Sequence, residues 1–221
     1  MTVVLATTLR VAGAAVLLAA LPAIGLGFVL ARASFVGKSV VETLVAVPLV
    51  LPPTAIGYLL LRAFAHDGPL GPRVLGIDLD VLFTWRGAVL ASAVVAFPLI
   101  ARAARSAFEG VEPRLELVAR THGLSRGATF ASVTLPLARR GLVAALALGF
   151  GRALGEFGAT VIVAGNVRGE TQTLALAIFE DIQLGSNDHA LLLVAVTLAI
   201  AFALMWSVEW LSRPRKARAS R

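Results

Sequence analysis

From Val11 to Ala31 the chain runs for 21 residues without a charged side chain. A helix over that stretch is about 31 Å long at 1.5 Å per residue, the thickness of a bilayer's hydrocarbon core. Hydrocarbon offers no water to backbone N–H and C=O groups, so a spanning run of this kind must pair them internally as helix. Two more uncharged runs, Thr43 to Leu61 and Ala190 to Val208, meet the same requirement. Gly87 to Ala101 is shorter and draws on Trp85, Arg86 and Arg102, whose long side chains reach back to the interface. Gly141 to Gly165 is long enough but holds Arg152 and Glu156. The expected fold is an all-α integral membrane protein of about five transmembrane helices, one domain over residues 1–221. Apolar residues make up 58% of the chain and charged residues 15%, with a mean hydropathy of +0.86, which agrees. Ala31-Arg32-Ala33 has the small-x-small form of a signal-peptide cleavage site. The apolar run before it exceeds the length of such a segment, however, and only Arg10 precedes it, which favours a retained span.

The charges then sort by side. With five alternating spans, Arg32 and Lys38, the seven arginines from Arg102 to Arg140, and the tail residues Arg213, Arg215, Lys216, Arg218 and Arg221 all fall on one side. The opposite side receives Arg10, Arg62, Arg73, Arg86 and Arg168 together with most of the acidic residues. Basic loops stay in the cytoplasm, so the expected C-terminus is cytoplasmic and the N-terminus outside. A tail over 212–221 reads as topology signal and contact with lipid headgroups. The net charge of +7 is therefore orientation, and nucleic acid is not an expected partner. The absence of cysteine excludes disulfides, thiolate zinc sites, iron–sulfur clusters and cysteine nucleophiles. His66, His122 and His189 are too scattered to hold a metal.

Prolines interrupt several spans: Pro22 in the first, Pro48, Pro52 and Pro53 in the second, Pro98 in the third. Single prolines read as kinks, but the triplet, followed by Thr54 and Gly57, predicts a helix broken near mid-membrane. Gly13, Gly25, Gly27, Gly149, Gly151, Gly155 and Gly158 read as small-residue surfaces for helix packing, and Gly151-x3-Gly155 as a site of close helix contact.

The 39 residues from Arg102 to Arg140 are too polar to span and too well patterned for a linker. Pro113 suits a first helical turn, Arg114 to His122 has helical apolar spacing, and Gly123 suits a left-handed stop. Ser125 is placed to cap a second short helix through Phe130 and Val133, before Leu135-Pro136 leads into the next span. A rigid two-helix projection is expected, against the alternative of an amphipathic helix lying in the lipid interface.

Leu117-Val118-Ala119-x3-Gly123-x9-Val133-x-Leu135-Pro136 resembles the EAA loop of ABC-importer permeases, with Glu116 one place earlier than that family's glutamate. The run Val47 to Tyr58, the run Gly151 to Thr160, and Ala164-Gly165-Asn166 with Thr171 to Leu174 are similar to the molybdate transport permeases of that group. The resemblance implies a type I, MetI-like permease architecture. It assigns Glu116, Ala119, Arg120, Gly123, Val133, Leu135 and Pro136 to coupling with a cytoplasmic ATPase. It further implies a second copy of the chain, with the pathway at a two-fold axis, and an extracytoplasmic molybdate-binding protein. ATP and Mg would be used by the partner ATPase, with no cofactor bound by this chain.

Arg152 and Glu156 lie four residues apart, on one face of a helix, where each neutralises the other. Arg152 near the path of a dianion would attract it in a low-dielectric cavity. Pro52, Pro53, Thr54 and Tyr58 from the second span, and Arg152, Glu156 and Thr160 from the fourth, are the expected pathway residues. The outer loops His66 to Phe83 and Asn166 to His189 are expected docking surfaces. There is no catalytic constellation and no phosphate-cradling loop ending in Lys-Ser or Lys-Thr. The expected function is therefore import of molybdate, with tungstate possible in the same site, through a permease subunit that is not itself an enzyme. A sulfate or thiosulfate permease, an ion-gradient carrier and a structural membrane subunit stand as alternatives.

Overall fold

The computed structural model describes residues 1–212. Of the expected basic tail, the residues from Arg213 onward lie outside the described residues. In chain order the helices are α1 Thr2–Arg32, α2 Lys38–Val50, α3 Pro53–Phe64, α4 Pro72–Leu75, α5 Trp85–Glu109 and α6 Pro113–Thr121. There follow α7 Arg126–Thr129, a π-helical turn Phe130–Thr134, α8 Leu135–Leu154, α9 Gly158–Val163, α10 Leu174–Gln183 and α11 Asn187–Ser212. Among the described residues four helical stretches are long and apolar enough to cross a membrane, or five where α2 and α3, bent by 107° at their break, count as one span.

Three long helices form the core. Arg10 of α1 lies 3.9 Å over the Trp85 ring at the start of α5, and Gly27 meets Ala101, Ala104 and Arg105 near its end. The two helices are therefore parallel. α8 runs the other way, with Gly141 against Ala107 and Gly149 against Ile100. The contacts are made by small side chains: Ala12, Ala15, Ala19, Ala88, Ala93, Ala96 and Ala101 are buried together. Helices in lipid gain nothing from leaving hydrocarbon, so small residues that admit close backbone packing carry the association. Gly27, Gly141 and Gly149 make these approaches. The expected surfaces at Gly13, Gly25, Gly151 and Gly155 do not, since a methyl group at any of them would meet no atom closer than 3.5 Å.

The first span begins earlier than its uncharged run suggests. α1 has 31 residues, about 46 Å, and its first turns are held by tertiary contacts. The Thr8 hydroxyl donates to the Val4 carbonyl at 2.7 Å and accepts the Leu174 N–H of α10 at 2.8 Å. The break in the second span falls where the prolines place it. Leu51 and Pro52 each precede a proline and both are extended, with ψ of 140° and 134°, because the following ring excludes the helical region. Pro53 then opens α3, where its missing N–H costs no bond.

Two expectations need correction. The run Gly141 to Gly165 is not one helix: α8 ends at Leu154 and α9 begins at Gly158. The Glu156 carboxylate accepts the Ala159 N–H at 2.8 Å, offering the backbone a capping bond in place of the helical ladder. The second short helix expected after Ser125 is likewise not separate from the next span, into which Leu135-Pro136 leads. α7, the π turn and α8 form one continuous rod, with the Leu135 N–H bonded to the Phe130 carbonyl five residues back. That wide turn accommodates the Pro136 ring, which in a regular helix would meet the carbonyl four residues before it.

Gly27→Val should destabilise the detergent-solubilised protein by about 1–3 kcal/mol through overpacking against the α5 backbone, read as a lowered Tm. Gly13→Ala, with open space around it, should leave Tm unchanged or raise it.

Candidate functional site

The two helix breaks pack against each other. A methyl group on Gly57 would lie 2.9 Å from the Ala159 backbone, and one on Gly158 would lie 3.0 Å from the Pro53 side chain. α3 and α9 therefore run parallel with their amino ends side by side. Each break leaves N–H groups without helical partners, and each amino end carries a partial positive charge. At α9 this is answered by Glu156, whose side chain is 1% exposed; one oxygen takes the Ala159 N–H and the other takes Arg152 Nη2 at 2.8 Å. Arg152 is itself 32% exposed, so its guanidinium is turned partly outward. At α3 no side chain caps the amino end. Pro52, Thr54 and Tyr58 are exposed there and Pro53 is half-buried.

Of the expected pathway residues, Pro52, Pro53 and Thr54 lie at the α3 break with Tyr58 a turn beyond, and Arg152 and Glu156 lie at the α9 break. Thr160 was placed a further turn along the Arg152–Glu156 face, but the break removes that register. Thr160 is 1% exposed and its hydroxyl has no hydrogen-bond partner among the described residues.

At the end of the bundle where α1 finishes, α6 and α7 form the projecting hairpin. Gly123 has φ +90°, the left-handed conformation its place after α6 requires. The Ser125 hydroxyl caps α7 by accepting the Ala128 N–H at 3.2 Å. Leu115, Leu117, Val118 and Arg120 are exposed on α6, while Glu116 and Ala119 turn toward the protein. The Glu116 carboxylate accepts Arg32 Nη2 at 2.7 Å, Arg32 Nε at 3.1 Å and the Thr134 hydroxyl at 2.8 Å. Val133 is half-buried, and Leu135 and Pro136 are exposed on the rod that follows. Arg32 and Thr134 were not legible as site residues: Arg32 reads from sequence as a topology charge, and nothing local marks Thr134. A cleft of about 670 Å³ lies between Phe28, Arg32, α6 and the π turn.

The opposite end carries the connecting loops. Glu180 on α10 accepts bonds from Asn166 at 2.9 Å and Gln172 at 2.5 Å, and pairs with Arg168. The Arg168 guanidinium, and after it the Asn166 amide, hold the Glu180 carboxyl below the usual carboxylate range. Asp181 lies 2.6 Å from His189. On the other loop Leu70, Val74, Ile77 and Phe83 are exposed beside the Asp67–Arg73 pair.

A broken, partly charged span pair and a helical hairpin at one end suit a transport subunit driven from outside its own chain. The family model described as the inner membrane component of binding-protein-dependent transport systems matches residues 23–216. The chain belongs to this family. It is 41% identical over 216 residues to the molybdenum transport system permease protein ModB of Escherichia coli, covering 97% of this chain and 94% of that protein. It is 33% identical to the sulfate transport system permease protein CysT of the same organism, covering 84% of this chain and 67% of that one. Its fold matches that of a bacterial ABC transporter involved in the import of the acidic polysaccharide alginate. The TM-score there is 0.76 at 16% identity, over 98% of this chain and 80% of that one.

Arg152→Met should cost about 3 kcal/mol or more, since it leaves the Glu156 carboxylate buried without its cation. Glu156→Gln should cost less because its amide oxygen can keep the Ala159 bond; Tm values in detergent compare the two. In this permease-family chain Glu180 titrates lower when folded than its ordinary 4.5. The stability it contributes is therefore complete above that value and is lost as pH falls through the lower folded one. Arg168→Gln should lower Tm near neutral pH, and the gap from wild type should close as pH falls below 4.5 and through the lower folded value.

Proposed function

We propose that this chain is the membrane permease of an ATP-driven importer for molybdate, working as two copies around a shared pathway. The observation that carries the substrate class is its 41% identity to the E. coli molybdenum permease across 97% of its length. The sulfate permease is less similar and is matched over only 67% of its own length, which favours molybdate over the sulfate or thiosulfate alternative. Tungstate shares the charge and tetrahedral shape of molybdate, so it enters the assay as a competitor.

The local chemistry supports a dianion. The uncapped amino end of α3 and the outward-turned Arg152 offer positive charge beside Thr54 and Tyr58, as discontinuous membrane helices do for anionic substrates. Glu156 holds Arg152 from within and tempers its attraction, so the anion can leave as well as enter. The faces of Pro52, Thr54 and Tyr58 that the single chain leaves open would line the path against the second copy.

Force arrives at the hairpin. Leu115, Leu117 and Val118 form the apolar face that a cytoplasmic ATPase subunit would grip, with Gly123 setting the angle of α6. ATP and Mg belong to that partner; this chain supplies no site for hydrolysis and binds no cofactor of its own. An extracytoplasmic binding protein would dock on the loops at the other end and deliver the oxyanion. In this orientation the hairpin and the C-terminal tail are cytoplasmic and the N-terminus is outside, which matches the side on which the arginines of 102–140 accumulate.

The test is molybdate-stimulated ATP hydrolysis in proteoliposomes holding this chain, its ATPase and its binding protein, with sulfate and tungstate as comparisons. Stimulation by molybdate is expected, and Gly123→Pro should abolish it, because proline cannot adopt φ +90°. Stimulation by sulfate alone moves the chain to sulfate transport. Co-purification with the ATPase but no response to any oxyanion overturns the substrate assignment.

A further inference from the structure

We infer that Glu116 is a positioning residue: with Arg32 and Thr134 it forms a latch that locks α6 to the ends of α1 and α8, rather than a contact with the ATPase. This rests on the reading that an ATPase grips the outward face of α6. The carboxylate oxygen Oε1 of Glu116 receives three donors, Arg32 Nη2 at 2.7 Å, Arg32 Nε at 3.1 Å and the Thr134 hydroxyl at 2.8 Å. The same Arg32 Nη2 donates to the Val111 carbonyl at 3.0 Å. Four segments therefore meet at one ion pair: the last turn of α1, the link before α6, α6 itself, and the π turn that runs into α8.

The latch matters because little else holds α6. It has nine residues and none of them is buried, and a helix that short is not stable alone. Both partners of the pair are mostly shielded, with side chains 18% and 20% exposed, so water competes weakly for the charged bonds. Directly beneath, Phe28 of α1, Phe108 of α5 and Phe130 of the π turn pack as an aromatic cluster, with centroids 4.9 to 6.3 Å apart. That cluster ties the receiving ends of α1, α5 and α8 into one block. A push on α6 reaches this block through the Glu116 carboxylate; without it, α6 pivots on its flanking turns and the push is dissipated.

The experiment compares Glu116→Gln, Arg32→Gln and Thr134→Val with wild type in the reconstituted importer. It measures molybdate moved per ATP hydrolysed and, separately, co-purification with the ATPase. Arg32 and Thr134 lie away from the outward face, and Thr134→Val is nearly isosteric, which guards against misfolding. The latch predicts that all three variants keep ATPase association while transport per ATP falls about fivefold or more, the usual range of coupling between sites. If Glu116 instead touches the ATPase, Glu116→Gln alone weakens co-purification and the other two are silent, which overturns the latch. Unchanged ratios in all three also overturn it. Wild type that shows no ATP-driven uptake overturns the transport reading itself, a result distinguishable from either.

Discussion

A backbone inside hydrocarbon must satisfy its own hydrogen bonds, and every unusual feature of this molecule lies where it departs from that rule. The α1–α5–α8 core departs from it only at single prolines, Pro22 and Pro98, and its helices are joined by alanine and glycine contacts that need no polar partner. The larger departures are two helix breaks, Leu51-Pro52 and Gly155 to Phe157, and they are placed against each other. Each supplies the small residue, Gly57 or Gly158, that lets the other half-helix approach. One break is neutralised by Glu156 and the other is left open. An amino end without a cap is costly in lipid and useful beside water, and that asymmetry gives the bent pair a direction in which to face.

Charge inside the bundle follows the same economy. Glu156 is nearly fully buried, but both its oxygens are engaged, by Arg152 and by the Ala159 N–H. Arg152 has room to turn because only one carboxylate oxygen holds it and a third of its side chain is open. Thr160 is a different case: a buried hydroxyl with no partner among the described residues, seated in the six-residue α9. Such a group costs free energy in a packed helix and is cheaper when a polar neighbour arrives. It sits about one helical turn from the break, between the fully buried Ala159 and Val163.

The break at the prolines, the α6 helix, its Gly123 stop and the Ser125 cap were legible in the sequence, because each is a local property of the residues that form it; the apolar runs located the spans but not the ends of the first and fourth. What was illegible depended on partners distant in the chain. The early start of α1 depends on Thr8 meeting Leu174, 166 residues away. The latch depends on Arg32, read as a topology charge until its partner 84 residues on is known. The break at Gly155 was hidden because Arg152 and Glu156 have helical spacing, and they do pair, yet the same Glu156 ends the helix by capping the next one. The expected glycine surfaces divide: Gly27, Gly149 and Gly158 make close approaches, whereas Gly13, Gly25, Gly151 and Gly155 do not. Gly151-x3-Gly155 has the pattern of a packing face, whereas the close approaches are made by glycines opposite a bulky or backbone surface on another helix, as at Gly27 and Gly149.

The molecule thus divides into a stiff block and lightly held parts, and under the proposed function that division would let a small hairpin act on a distant pathway. Interdigitated helices transmit displacement because a close-packed interior has little volume to give up. α2 contributes no buried side chain at all, and α6 none either. Both are therefore free to follow what they are attached to. The hairpin end is attached at Arg32 and Thr134, on α1 and on the rod that becomes α8. The far end of α8 is the break that carries Arg152 and Glu156, packed on the amino end of α3. Under the proposed function, a tilt of that single rod would carry the charged pair and, through Gly158, bear on the uncapped amino end of α3.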